Sequence, residues 1–134
     1  LDQCFVLRGG EDVTLVAWGA MMKETLEAAD QLAHQGISAE VIDVATIKPL
    51  DIMTILDSVE KTGRCVIIHE AARTCGVGAE IAAQIAEYAI DSLIAPISRV
   101  TGYDTVMPYY QLENTYMPST QRIITAVKNA MEFQ

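Results

Sequence analysis

The stretch RCVIIHEAARTCGVGAEIAAQI, residues 64–85, contains the pattern that decides the fold. An apolar run of Val and Ile leads into His69 and Glu70, as expected for a buried strand. A loop follows with two glycines, Gly76 and Gly78, and an amphipathic pattern begins immediately after them. This order of strand, glycine-containing loop and helix predicts one unit of a parallel α/β sheet.

The same alternation recurs on both sides of this stretch. VTLVAW, residues 13–18, is a nearly continuous apolar run of the kind found in buried parallel strands. The predicted strands are residues 3–8, 13–18, 38–44, 64–69 and 97–100. The predicted helices are one between Gly19 and Gly36, one opening at residues 49–51, one over 79–93, and one after Ser119. The chain of 134 residues is therefore predicted to form one α/β domain with helices on both faces of a mostly parallel sheet.

Helical spacing predicts which face of each helix is buried. In the first helix the predicted inner residues are Met22, Leu26, Ala29 and Ala33. In the third they are Ile81, Ile85 and Tyr88, and in the last they are Ile123, Ile124, Val127 and Met131.

Composition excludes several classes of function. The net charge is −9 and the nine Lys and Arg residues are scattered, which argues against binding nucleic acid or an anionic membrane surface. No apolar run approaches the roughly 18 residues that would cross a membrane. An acidic surface would suit a basic protein partner, and it would equally serve solubility alone.

Three cysteines, Cys4, Cys65 and Cys75, are too widely spaced for a zinc site and too few for a disulfide framework. This usage indicates a reducing compartment. Cys75 lies near a helix start, which can lower the pKa of a thiol. The pattern offers no base to activate it, so no catalytic thiol is predicted.

Two interpretations of residues 69–80 remain open. The N-terminus of a helix can hold an anion, and glycines allow a ligand to approach the backbone. The third glycine of a dinucleotide motif is missing, no Walker lysine follows, and Glu80 would repel a phosphate. The alternative is that Gly76 and Gly78 allow close packing where the helix begins.

The other titratable candidates are weaker. His69 stands at the carboxyl end of a strand, where sites of open parallel sheets cluster. Glu70 would point to the opposite face if the strand continues, so the two do not form an obvious dyad. His34 is predicted to be solvated, and Asp43 and Asp51 are interpreted as turn and cap residues rather than metal ligands.

Tyrosines and prolines concentrate in residues 102–118, which are predicted to form a long irregular loop. The tyrosines are Tyr103, Tyr109, Tyr110 and Tyr116. They could form a recognition surface, or their rings could attach the loop to the body of the domain. The sequence does not separate these two interpretations.

Four segments in order resemble a known family. They are GEDVTLVAWGAMMKETLEAADQL (10–32), AEVIDVATIKPLD (39–51), TGRCVIIHEAARTCGVGAEIAAQI (62–85) and APISRVTGYDTVMPY (95–109). They resemble the C-terminal domain of the beta subunit of 2-oxo acid dehydrogenase first components, the thiamin-diphosphate-dependent subunits of the pyruvate, branched-chain 2-oxo acid and acetoin dehydrogenase complexes. The resemblance covers nearly the whole chain.

The resemblance implies a three-layer α/β/α sandwich of the transketolase C-terminal type. It implies that thiamin diphosphate, with magnesium, lies between the alpha subunit and the N-terminal domain of the beta subunit. The chain is therefore expected to be a piece of a longer beta subunit, to contain no catalytic, cofactor-binding or metal-binding residue, and to be inactive alone. On this interpretation His69, Glu70, Gly76, Gly78 and Glu80 belong to a structural loop.

The resemblance also implies partners. These are the alpha subunit, a second beta subunit in an alpha2-beta2 tetramer, and the subunit-binding domain of dihydrolipoyl acyltransferase. The acidic chain ends in Glu132, Phe133 and Gln134, which are the candidate docking residues for that small, typically basic domain. The expected location is the bacterial cytoplasm, with the mitochondrial matrix as second choice. The alternative function is an autonomous, flavodoxin-like module that binds an anion or nucleotide at residues 69–80.

Overall fold

The computed structural model describes residues 1–133 and shows strands and helices in regular alternation. The strands are β1 (Phe5–Arg8), β2 (Val13–Ala17), β3 (Ala39–Asp43), β4 (Cys65–Ala72) and β5 (Ser98–Gly102). The helices are α1 (Met21–Ala33), α2 (Ile52–Thr62), α3 (Val77–Tyr88), α4 (Glu113–Tyr116) and α5 (Thr120–Met131). Two short 3-10 turns cover Ile90–Ser92 and Tyr110–Leu112.

The strands form one sheet in the order β1-β3-β2-β4-β5. The strands β3, β2, β4 and β5 run parallel, and β1 pairs antiparallel with β3 at one edge. All five residues of β2 are buried, because this central strand is covered on both faces. The predicted α/β class, with its mostly parallel sheet, is confirmed.

Two hydrophobic clusters cover the two faces of the sheet. One joins α1 and α5 to residues such as Leu15 and Ile68. The other joins α2 and α3 to residues such as Val16 and Ile67. Neighbouring residues of β2 and β4 therefore point into different layers, as alternation along a strand requires. The result is a three-layer α/β/α sandwich.

Two predicted caps are present. The Asp51 side chain accepts a hydrogen bond from the backbone N–H of Thr54, and that of Ser119 accepts one from the N–H of Arg122. At the C-terminus of α2, Gly63 adopts φ +70°, a left-handed conformation that glycine tolerates best. These local signals explain why α2 and α5 begin and end where they do.

The predicted inner face of the first helix is displaced by about one residue. The buried residues are Met21, Thr25, Ala28, Ala29 and Leu32, whereas Met22 and Leu26 are half-buried and Ala33 is exposed. Thr25 was not recognised as buried because its hydroxyl looks polar in the sequence. In the structure this hydroxyl donates to the Met21 carbonyl at 2.7 Å, so it can be buried without loss of a hydrogen bond.

The prediction that Tyr88 faces inward is wrong. Its side chain is 66% exposed, and the small Ala89 is buried one position later. Either position can follow Ile81 and Ile85 at helical spacing, and Ala89 is the one that joins the hydrophobic cluster of α2 and α3. This helix begins at Val77 and ends at Tyr88, so it is shorter than predicted at its C-terminus.

No helix within residues 1–133 is both long enough and apolar enough to cross a membrane.

Candidate functional site

The carboxyl ends of β2 and β4 bring Trp18 and His69 together. Their rings stack with centroids 5.3 Å apart and an angle of 14° between the planes. The His69 side chain is only 1% exposed, although it is polar. It comes from the last fully buried position of β4, and the next residue, Glu70, is exposed on the other side of the strand.

The N-terminus of α3 packs directly on the His69 ring. A methyl group placed on Gly78 would lie 2.6 Å from two ring atoms of His69, and one placed on Gly76 would lie 2.7 Å from another. Carbon atoms do not approach this closely, so both positions accept only a hydrogen. Neither glycine has a positive φ, so the need here is for space rather than for backbone freedom.

The His69 ring lies in an environment that favours its neutral form. Burial lowers the pKa of the imidazole below its usual value of 6.5, and the nearby positive charge of Arg99 lowers it further. Neither ring nitrogen has a partner in good hydrogen-bonding geometry among the described residues, and the nearby Ala71 backbone opposes the lowering of the pKa without reversing it. A ring closed off from solvent in this way has no route by which to exchange a proton with a substrate, so the geometry does not support an acid–base role.

The same ring fills the space that an anion would need beside the two glycines. Glu80, in the first turn of α3, is exposed and adds a negative charge at this end of the helix. The arrangement gives no support to the flavodoxin-like alternative. The role of this loop in packing stays a prediction.

The outer part of the loop is held to the 102–118 segment. Asp104 accepts hydrogen bonds from the backbone N–H and the hydroxyl of Thr74, at 2.8 and 2.7 Å. The hydroxyl bond is the main cause that lowers the pKa of the Asp104 carboxyl. Cys75 follows in a left-handed conformation, φ +60°, and its side chain is exposed.

The four tyrosines of the 102–118 segment divide into two pairs. Tyr116 is buried, and its ring packs edge to face with the Tyr103 ring, with the ring centroids 6.3 Å apart. Tyr109 and Tyr110 project from the surface, with 96% and 87% of each side chain exposed. The rings of Tyr103 and Tyr116 therefore contact each other as the attachment interpretation expects, whereas a recognition role for Tyr109 and Tyr110 stays a prediction.

Gly102 connects this segment to β5 and was not singled out in the sequence. A methyl group here would lie 2.4 Å from the Glu70 carbonyl oxygen and 2.6 Å from the Tyr116 hydroxyl. Only the pattern of a glycine at the end of a strand could have indicated this close contact.

A second feature that sequence reasoning missed is the buried carboxylate of Glu40. It is 5% exposed, accepts from the Gly10 N–H at 3.2 Å and pairs with Lys61. In the sequence, Glu40 alternates with apolar residues of β3, and this pattern did not indicate that its carboxylate would be buried. The hydrogen bond from Lys61 explains how the pKa of Glu40 is lowered despite burial, which acts in the opposite direction.

The remaining candidates lie apart from His69. His34 is exposed, and Asp51 caps α2 while accepting from the Cys4 N–H at 2.9 Å. Burial raises the pKa of Cys4 to about 11 and that of Cys65 to about 12, so both thiols are inert at neutral pH. Within residues 1–133 no group of three or more His, Cys, Asp or Glu lies close enough to share a metal ion.

The candidate docking residues lie at the end of α5. Glu132 is exposed and ends the helix, and Phe133 is 52% exposed. Gln134 lies outside the described residues.

Comparison with known proteins agrees with this architecture. Residues 2–123 match the family model described as "Transketolase, C-terminal domain". The chain is 50% identical over 128 residues to the pyruvate dehydrogenase E1 component subunit beta of Staphylococcus epidermidis, and 46% identical to that of Staphylococcus aureus. Each alignment covers 96% of this chain and 39% of the relative.

Solved structures give the same result. The chain superimposes with a TM-score of 0.86 and 31% identity on a split-gene transketolase described as an inactive beta4 tetramer, covering 98% of this chain and 42% of the other. A 2-oxoglutarate:ferredoxin oxidoreductase from Magnetococcus marinus shares the fold alone, with a TM-score of 0.61 and 12% identity over 97% of this chain and 19% of the other.

The family model covers most of the chain, and the staphylococcal relatives confirm the resemblance to 2-oxo acid dehydrogenase beta subunits seen in the sequence. The chain belongs to the transketolase C-terminal domain family.

Proposed function

We propose that this chain is the C-terminal domain of the beta subunit of a thiamin-diphosphate-dependent 2-oxo acid dehydrogenase first component. The whole enzyme would oxidatively decarboxylate a 2-oxo acid, pyruvate or a branched-chain one, and pass the acyl group to lipoyl. The support is the identity of up to 50% to pyruvate dehydrogenase E1 beta subunits. Because the chain spans 39% of those relatives, the reaction itself belongs to the longer protein.

Within that enzyme, the domain serves assembly with the alpha subunit and a second beta subunit. The observation that carries this role is the apolar segment 103–112, which lies on the surface. Val106 and Tyr109 are 89% and 96% exposed, and Met107, Tyr110 and Leu112 are each more than half exposed. Apolar side chains grouped on the surface of a soluble domain usually mark an interface with another chain.

The cofactor of the whole enzyme would be thiamin diphosphate with magnesium. The described residues do not fit its diphosphate and metal, because they form no group of metal ligands and the α3 N-terminus is filled by the His69 ring. We therefore derive no catalytic step in this chain. The cofactor would lie between the alpha subunit and the N-terminal domain of the beta subunit.

Titration calorimetry of the chain with thiamin diphosphate and magnesium tests this assignment. We expect no binding and no decarboxylation by the chain alone, and both in the longer beta subunit combined with its alpha subunit. Micromolar binding of the cofactor by the chain alone would overturn the assignment.

The proposal includes docking of the acyltransferase subunit-binding domain at the end of α5, through Glu132, Phe133 and Gln134. An exposed ring beside carboxylates suits a small basic domain, since the ring supplies apolar contact and the charges speed association. We place the whole enzyme in the bacterial cytoplasm, because the relatives named above are staphylococcal.

A further inference from the structure

The 102–118 segment is attached to the rest of the domain near its two ends. Residues 103–109 form neither helix nor strand, so no regular ladder of backbone hydrogen bonds holds them. Among the described residues, the side-chain hydrogen bonds that join residues 103–118 to the rest of the domain involve Asp104 and Met117. The position of the exposed middle therefore depends on how the two ends are held.

Arg122, in the first turn of α5, contacts both ends of this segment. Its guanidinium donates to the Thr101 carbonyl at 2.7 Å, directly before the segment, and to the Met117 carbonyl at 3.5 Å, near its end. The same group lies 4.8 Å from the centre of the Tyr103 ring, within the range of a cation–π contact. One side chain thus joins the residues that enter the segment to those that leave it.

The backbone of Arg122 is itself fixed. Its N–H donates to the Ser119 hydroxyl at 3.2 Å, which caps α5. The next two residues, Ile123 and Ile124, are buried in the hydrophobic cluster on this face of the sheet. The guanidinium therefore extends from a packed helix to an irregular segment, and a loop positioned by a rigid scaffold is a common arrangement at binding surfaces.

A positive charge at this place in the helix needs a reason. The N-terminus of a helix carries a partial positive charge, so an arginine in the first turn is electrostatically unfavourable. Among the described residues, no carboxylate forms an ion pair with Arg122 that would offset this cost. The contacts with two carbonyl oxygens and one aromatic ring provide the compensation. A planar guanidinium with five N–H donors can make all of them at once, whereas a lysine ammonium is a point charge.

We propose that Arg122 is a positioning residue for the assembly surface, and that its contacts hold segment 103–112 in the arrangement that another chain binds. Binding is stronger when the bound arrangement is already present in the free protein, because less conformational entropy is lost. The proposal rests on the assembly role for its purpose, whereas the fixing of the segment can be measured on the chain alone. The apolar residues held in this way, each more than half exposed, are Val106, Met107, Tyr109, Tyr110 and Leu112.

Limited proteolysis with chymotrypsin, with the cuts mapped by mass spectrometry, measures the fixing directly. The protease cleaves after large apolar and aromatic residues, and cleavage requires the segment to leave its folded arrangement. Arg122→Gln removes the guanidinium contacts and leaves the helix propensity nearly unchanged. We expect cleavage within 103–112 to become about 10-fold faster, the effect of losing one hydrogen bond from a charged group.

Lys128→Gln is the matched control, because it removes one positive charge from an exposed position of the same helix. It should be cleaved at the rate of the unchanged chain. Cleavage after Tyr88, on α3 across the sheet, is the internal reference for a general loss of stability. Equal acceleration at Tyr88 and within 103–112 in Arg122→Gln, or no acceleration at either place, would overturn the proposal.

Sedimentation velocity then connects the fixed segment with assembly. Arg122→Gln should weaken self-association by about the same factor, and Lys128→Gln should leave it unchanged. Arg122→Lys, which keeps the charge without the planar donor group, should recover only part of the loss. If the unchanged chain does not associate, the assembly role is wrong, and the protease result alone decides whether Arg122 fixes the segment. If Arg122→Gln is cleaved faster but associates as tightly as the unchanged chain, Arg122 does not position the assembly surface.

Discussion

At the scale of single residues, the His69 ring packs directly against the backbone of Gly78 at the start of α3. The glycine hydrogen faces the imidazole, which in turn stacks on Trp18. Alanine in a helix is normally more stable than glycine by about 1 kcal/mol. At position 78 we expect alanine to be less stable than glycine, because the new methyl group would lie 2.6 Å from the His69 ring.

We expect Gly78→Ala to lower the free energy of unfolding by about 1–3 kcal/mol in a urea titration. Gly9→Ala is the control, because no atom lies within 4 Å of the added methyl. In the double variant His69→Ala, Gly78→Ala, the penalty of the second change should largely disappear, since the clashing ring is gone. Equal losses with and without His69 would contradict the packing role.

The buried imidazole also predicts a dependence of stability on pH. Its pKa is lowered in the folded state, so the unfolded chain binds the proton more readily. The unfolding free energy should therefore be constant above pH 6.5, as far as His69 is concerned, and should fall as the pH decreases below 6.5. The pKa values of the Glu40 and Asp51 carboxylates are lowered in the folded state, so protonation of these groups reduces the free energy of unfolding only at more acidic pH.

The variant His69→Phe keeps a flat ring and removes the titrating group. We expect the slope of stability between pH 6.5 and 5 to disappear in this variant, whatever its absolute stability. Urea titrations at several pH values measure the slope. An unchanged slope would mean that another group titrates in this range.

At the scale of secondary-structure elements, the sequence predicted the strands well and the helix faces less well. Strands such as VTLVAW are continuous apolar runs, and only a central parallel strand buries such a run on both sides. The buried face of a helix was predicted wrongly where small residues, or residues that can be either buried or exposed, made two faces of the helix nearly equally apolar. Thr25 can be buried because its hydroxyl donates a hydrogen bond to a carbonyl of its own helix. At the end of α3 the buried residue is Ala89 and not Tyr88.

The end of α5 carries its own prediction. Truncation after Ala130 should weaken binding of the acyltransferase subunit-binding domain and reduce the salt dependence of that binding, because Glu132 and Phe133 are removed. Calorimetry at low and high salt measures both effects, and circular dichroism confirms helical content. If the truncated chain stays folded and binds as tightly as before, with no salt dependence in either protein, this docking site is wrong.

The contacts of the candidate loop were only partly predictable. The glycines of residues 69–80 indicated a tight approach, but not that the partner would be the side chain of His69, which precedes Gly76 by seven residues and Gly78 by nine. Thr74 and Asp104 are 30 residues apart, and only the packing of the 102–118 segment beside the loop brings them together. Long-range convergence of this kind has no local signature in a single sequence.

At the scale of the whole molecule, helices pack on both faces of the sheet, whereas the apolar side chains of segment 103–112 are exposed to solvent. Tyr109 and Tyr110 project from residues 103–112, while Tyr103 in this segment contacts the buried Tyr116, which follows the segment. A segment that is attached to the domain through Tyr103 and carries exposed apolar side chains is suited to contact another chain. Self-association of this domain is therefore the central expectation of the proposed assembly role.

Sedimentation velocity at several protein concentrations tests this expectation most directly. We predict that the average mass rises with concentration, and that the double variant Tyr109→Ser, Tyr110→Ser shifts the chain toward the monomer. Tyr88→Ser, which removes an exposed tyrosine from α3, should leave the association unchanged. A chain that stays monomeric at every concentration, or one that associates equally well in all three forms, would contradict the account.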